Sequence, residues 1–201
     1  MTTIRKRRGE YAKTPARRKE IVDAAIEVFS GSGFRKGSLR DVAERVGLSQ
    51  AGVLHHFPSK EHLLQAVLSW RDDTSLARMG EPPPEGLDLI RALVELIEYN
   101  EHTPELVELH VVMSAEATSP DHPVHDYFVR RYHLVLDSVR QAFEQTAARG
   151  QLRPDVDCTS AARTLIALMD GLQVQWLLDR ESVDMAAEVR RYLQPLLAVE
   201  L

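Results

Sequence analysis

Side chains that do chemistry are plentiful in this sequence, but none is spaced for catalysis. The chain of 201 residues holds 8 histidines, 30 aspartates and glutamates, and one cysteine, Cys158. It has no Gly-rich phosphate loop, no Gly-x-Ser-x-Gly elbow and no His-Glu-x-x-His pair, so an enzyme is not expected. His122, His125 and His133, and His102 with His110, raise the question of a metal. Pro123 breaks the helical spacing of the first pair and no cysteine lies near, so these read as solvated surface histidines, with no metal. Nor is a cofactor expected. With a single cysteine, neither an intrachain disulfide nor a cysteine-rich zinc site is possible, and a reducing cytosol is the natural compartment.

The informative spacing lies between residues 38 and 60. Val46-Gly47-Leu48-Ser49 joins two short apolar-periodic segments in the manner of a helix-turn-helix. Ala43 is small enough for the two helices to cross closely. Gly47 can take the left-handed conformation that ends a helix. Leu48 buries the turn, and Ser49 can satisfy the free amides of the next helix. Val53 and Phe57 anchor that helix, which leaves its outer face free to enter a major groove.

Charge follows the same division. Residues 1–60 carry 13 Lys and Arg against 6 Asp and Glu, whereas residues 61–201 carry 12 against 24. An overall charge of -5 therefore conceals a basic head on an acidic body, which is compatible with a polyanionic partner for the head.

The elements that must position these residues all read as helices. No strand of period two and no Asn-Gly hairpin signal appears. Thr14-Pro15 opens a first helix with Ile21, Ala24, Ala25, Val28 and Phe29 inward, and Gly31 and Gly33 stop it. Ser38 caps a second short helix, and Ser49 a third that runs to about His56. A fourth begins near Lys60 and runs to about Arg78. The stretch from Gly80 to Gly86, with three prolines, is the one evident linker. Five more helices follow: Leu87 to about Asn100, Thr103 to about Ala117, Pro123 to Arg149, about Thr159 to Leu178, and about Val183 to Leu197. No apolar run approaches the ~18 residues of a membrane span, and no apolar segment follows the basic N-terminus as in a secretory signal.

The pattern from Arg17 to Leu68 resembles the TetR-type bacterial transcription regulators. The resemblance is carried by Ile21, Ala24-Ala25, Phe29, Gly33-Phe34, Ser38, Val42-Ala43, Val46-Gly47-Leu48-Ser49, Val53, His56-Phe57-Pro58-Ser59-Lys60-Glu61 and Leu63-Leu64. It implies an all-α fold of about nine helices. Residues 1–60 would be the basic arm and helix-turn-helix domain, and residues 61–201 a helical effector-binding and dimerisation domain. The implied function is a ligand-responsive regulator, most often a repressor, that binds a near-palindromic operator as a homodimer and is released by a small effector. The alternatives are an activator, or an architectural DNA-binding protein without effector control. The implied location is the cytoplasm, on the nucleoid when DNA is bound.

Roles follow position by position from that resemblance. Arg40 matches a base-reading position, where its planar fork suits guanine; the alternative is a surface Arg paired with Asp41 or Glu44. Gln50, Ala51 and Gly52 open the recognition helix. Gln50 would contact adenine or a phosphate, and Ala51 and Gly52 would permit close approach. Leu54 either touches a thymine methyl or packs inward. His55, His56 and Lys60 match phosphate-contacting positions, with a structural hydrogen bond as the alternative for His56. Ser38 and Ser49 would cap helices and contact phosphate through the amides they organise. The arm Arg5-Lys6-Arg7-Arg8 would follow the backbone, enter a minor groove or stay a tail. Members commonly carry two aromatic residues before the His-Phe pair. Leu54 and His55 stand there instead, a departure that bears on operator preference or on the grip of the helix.

In the body, the resemblance implies dimerisation through the last two helices, with Leu165, Met169, Leu172, Val189, Tyr192, Leu193 and Leu196 as the interface or, alternatively, as core of one chain. A lipophilic effector would meet residues drawn from Trp70, Tyr99, His110, Met113, Glu116, Phe128, Tyr132, Met169, Gln173 and Trp176, each of which is otherwise ordinary core. Gln173 and Glu116 stand out because polar groups on apolar faces need partners.

Overall fold

The computed structural model describes residues 8–201, with side chains from Pro15 onward. Its described residues form nine α-helices and one short 3-10 turn. They divide into two compact units, residues 1–70 and 71–201, and the division falls inside the fourth helix.

In the first unit, α1 spans Arg8–Lys36, α2 Leu39–Arg45 and α3 Gln50–His56, and α4 starts at Lys60 and runs to Met79. The helical backbone of α1 begins before Thr14-Pro15, so Pro15 lies inside it and is not its first residue. Proline's fixed φ is itself helical, and the residue costs one hydrogen bond without forcing an end. Helical geometry is lost at Gly33, with φ 70° and ψ 172°, and not at Gly31. The expected inward face holds: Ile21, Ala25 and Phe29 are fully buried, together with Val42, Val53, Leu63 and Leu64. Arg5, Lys6 and Arg7 of the expected arm lie outside the described residues, and Arg8 is described by its backbone alone.

The second unit adds α5 (Leu87–Asn100), α6 (Pro104–Glu116), α7 (His125–Ala148), α8 (Cys158–Leu178) and α9 (Met185–Leu193). α7 packs on α5 and α8, α9 closes against α5 and α8, and α6 lies on α8. Ile90, Ile97, Phe143, Leu165, Val189 and Leu193 meet in one fully buried cluster. The last helix stops at Leu193, short of the expected Leu197. Pro195 then sits in a 3-10 turn, Gln194–Leu196, and Leu197 is extended, forming an isolated antiparallel bridge to Leu152. A proline without an N–H and a carbonyl taken up by another segment end the helix there. Asp157 and Asp184 cap α8 and α9 by accepting hydrogen bonds from the amides of Ser160 and Ala187, each at 2.8 Å.

Candidate nucleic-acid interface and effector cavity

The turn between α2 and α3 is built by short-range hydrogen bonds. Ser38 and Asp41 form a reciprocal capping box, with Asp41 N–H donating to Ser38 Oγ and Ser38 N–H donating to Asp41 Oδ2, both at 3.2 Å. Hydrogen bonding to Ser38 holds the Asp41 carboxyl below its ordinary range. Gly47 adopts φ 63°, and Leu48 N–H donates to the Ala43 carbonyl at 2.9 Å. Leu48 itself is half-buried. Ser49 Oγ accepts from Gly52 N–H at 3.1 Å.

This arrangement decides which side chains are available to a partner. Arg40 is exposed and makes no ion pair with Asp41 or Glu44 among the described residues. The physical reason is that Asp41 is already held by Ser38. Gln50, Ala51, Leu54 and His55 are exposed along one side of α3, while Val53 and the following Phe57 are buried on the other. Leu54 is 37% exposed, so it does not pack inward. Two positions are more occupied than the spacing suggests. The His56 carbonyl accepts from the Arg18 guanidinium, which also lies 4.1 Å from the Phe57 ring centre. Burial, and then the neighbouring His55, lowers the His56 imidazole below its ordinary pKa. Lys60 donates from Nζ to the Phe34 carbonyl and sits over the Phe34 ring at 4.3 Å. Its ammonium is thus tied into the head.

The second unit holds a half-open cavity of about 470 Å³ lined by α4, α5, α6, α7 and α8, a volume suited to a small organic ligand. Four of the ten expected residues line it: His110, Tyr132, Met169 and Gln173. The other six do not. Trp70 belongs to the first unit, with the Lys19 ammonium 5.9 Å from its ring centre. Tyr99 is covered by the Arg78 guanidinium and faces a smaller neighbouring cleft. Met113 and Trp176 are core, and Phe128 packs edge-on against Tyr127. Glu116 pairs instead with His122 at 3.4 Å. That pairing corrects the surface reading of His122, which is buried, as is His110.

The polar end of the cavity joins His110 and Tyr132, which were expected, to residues that the spacing did not single out. Tyr127 donates to Asp72 Oδ2, and Arg131 and Arg71 approach Asp72 Oδ1 at 3.5 and 3.6 Å. Tyr132 donates to Asp170 Oδ2 at 2.6 Å, and His110 Nε2 meets Asp170 Oδ1 at 3.3 Å. Burial opposes ionisation of Asp170, but the hydrogen bonds from His110 and Tyr132 outweigh it and leave its pKa lowered. Burial, and then the Arg71 charge, push His110 down to about 4. Burial also takes Arg71 down to about 10, with Arg131 adding to the shift. A signal for these residues was present. Arg71 continues the stripe of Leu64, Val67 and Leu68, and Asp170 interrupts an almost wholly apolar helix, as Gln173 does.

The expected interface residues are divided differently. Leu165, Leu172, Val189 and Leu193 are buried within one chain, and Met169 lines the cavity. Tyr192 donates from its hydroxyl to the Ala161 carbonyl at 3.1 Å, and Leu196 is half-buried. These side chains satisfy the body's own core first. What α8 leaves outward is Val174, 43% exposed, and Leu178, 83% exposed.

Comparison with known proteins places this geometry. Residues 21–67 match the bacterial regulatory proteins of the tetR family, and residues 87–198 match the C-terminal domain of BetI-type transcriptional repressors. The chain belongs to the TetR family of transcriptional regulators. UidR of Escherichia coli K12, an HTH-type transcriptional regulator, is 29% identical over 85% of each chain. The structure of Salmonella enterica GusR aligns with a TM-score of 0.72 and 28% identity, covering 92% of this chain and 96% of that one. SmeT, solved as a triclosan complex, aligns with a TM-score of 0.74 at 21% identity over 90% of this chain and 89% of its own, a likeness of fold. As a TetR-family regulator, the chain joins a helix-turn-helix unit to a helical second unit. Among its described residues no helix is long and apolar enough to cross a membrane.

Proposed function

We propose that this TetR-family regulator is a homodimeric repressor, released from a near-palindromic operator by a small effector that enters the body cavity. The half-open cavity of about 470 Å³, apolar along most of its wall and polar at one end, carries this reading. SmeT, which shares the fold, takes up triclosan. In the head, Arg40 and the exposed side of α3 supply base contacts, with Gln50, Ala51, Leu54 and His55 nearest the groove. Ser38, Ser49, Gly52, His56 and Lys60 hold the helix and its register on the backbone. Val174 and Leu178 give α8 an outward apolar edge that a second copy would cover.

Release requires that effector and operator favour different states of the same molecule. The test is operator selection from random duplex DNA by the purified protein, with its mass measured in solution. Inverted half-sites and twice the chain mass of 22.7 kDa are expected. A monomer at micromolar concentration, or selected sites without symmetry, would overturn the dimeric reading.

A further inference from the structure

We propose that the cavity selects an amphipathic organic anion: a carboxylate held by Arg71, with an apolar body laid along Leu93, Leu96, Val135 and Ile166. The inference rests on the cavity being the effector site and names the chemistry of its occupant.

Arg71 is the decisive residue. It is only 8% exposed and lines the cavity. A guanidinium has five N–H donors, and a buried one needs acceptors for them. Here the one ion-pair partner of its side chain among the described residues is Asp72 Oδ1 at 3.6 Å, too long for a hydrogen bond, and no acceptor takes its donors. Neither carboxylate nearby takes them. Asp170 is occupied by Tyr132 and His110, and Asp72 gives one oxygen to Tyr127, while its Oδ1, buried without a hydrogen bond, stays 3.5 Å from Arg131 and 3.6 Å from Arg71. A planar fork with unmet donors at the end of an apolar cavity matches a carboxylate, which can accept two parallel hydrogen bonds.

Charge points the same way. Arg71, Arg130 and Arg131 line the cavity against Asp72 and Asp170, with His110 neutral at pH 7. One negative charge on the ligand balances the set. A cation would add to three arginines, and a neutral lipophile would leave the Arg71 donors unmet. Gln173 Oε1 and His110 Nδ1 are also buried without hydrogen-bond partners, so a hydroxyl or amide N–H on the same ligand would find an acceptor.

Three probes that differ only at the head test this: 2-naphthylacetate, 2-naphthylacetamide and 2-(2-naphthyl)ethylammonium. Each competes with the neutral dye N-phenyl-1-naphthylamine on the full-length protein. The carboxylate should bind at least about tenfold tighter than either of the others. R71Q should erase that advantage while leaving the amide within about twofold, and R71K should keep part of it. Equal binding of acid and amide, or tighter binding of the ammonium, overturns the inference even if R71Q does not fold, because the wild-type comparison suffices. If the dye binds and the acid shows no preference, the cavity remains an effector site and the anion assignment fails. Preferred acid binding that leaves the operator complex intact supports the anion assignment and overturns release by this cavity. If neither dye nor probe binds, both fail.

Discussion

The head and the body use polar side chains in opposite ways. Among the described residues of the head, Ser30 is the sole buried polar side chain, and it bonds locally to the Glu27 carbonyl at 3.3 Å. Arg40, Gln50 and His55 stand in the open. In the body, Arg71, His110, His122, Thr146 and Gln173 are all buried, and three of these five line one cavity. Exposed charges are screened by salt and cost little to place. Buried ones are barely screened, and their protonation is coupled to folding. The head should therefore respond to ionic strength and the body to pH.

The largest expected effect is on the body. The His110 imidazole has its pKa pushed from 6.5 to about 4, so the unfolded chain takes up a proton at higher pH than the folded one does. Stability is thus complete above pH 6.5 and falls as pH drops, by about 3 kcal/mol once pH 4 is passed. Trp176 lies in the body and Trp70 in the head unit, so a Trp70→Phe variant leaves Trp176 to report the body's urea midpoint. Adding His110→Gln should flatten the slope between pH 6.5 and 4. An unaltered slope would break the contrast, because the body's pH response would then arise elsewhere.

Next in size is Arg40→Ala. It should weaken binding to the selected operator by about 1–3 kcal/mol and relax preference at one base pair, with no change in dye binding by the cavity. Equal losses on cognate and random DNA would remove Arg40 from base reading. The smallest effect sharpens the contrast most. A Cβ on Gly52 would meet Leu48 and Ser49 at 3.5 Å, an ordinary contact, so the head itself does not require glycine there. Gly52→Ala should stabilise the head by about 0.5–1 kcal/mol while weakening operator binding. Gains in both would show that Gly52 does not serve close approach to DNA.

The two regions also differed in how much the sequence disclosed. The head was legible because its determinants are local. Ser38 with Asp41, Gly47, and Ser49 with Gly52 each act within three or four residues, so type and spacing suffice. The helix order of the body was legible for the same reason, from apolar periodicity and breakers such as the stretch from Gly80 to Gly86. Its polar cluster was legible only in part, at His110 and Tyr132. Arg71, His110, Tyr127 and Asp170 come from four helices and converge only in the folded chain. The expected interface residues were ambiguous for a different reason. An apolar stripe such as Val189 and Leu193 does not say whether it faces its own core or a second copy, and here the chain's own core claims it. Pro15 misled because a helix can continue through a proline once its φ suits.

The capping box at Ser38 has one more consequence. It ties up Asp41, beside Arg40, and leaves Arg40 without a hydrogen-bonding or ion-pairing duty among the described residues. A residue without such a duty can be exchanged without loss of folding. Under the proposed base-reading role of Arg40, operator preference could therefore drift at position 40 through intermediates that all remain folded, one substitution at a time.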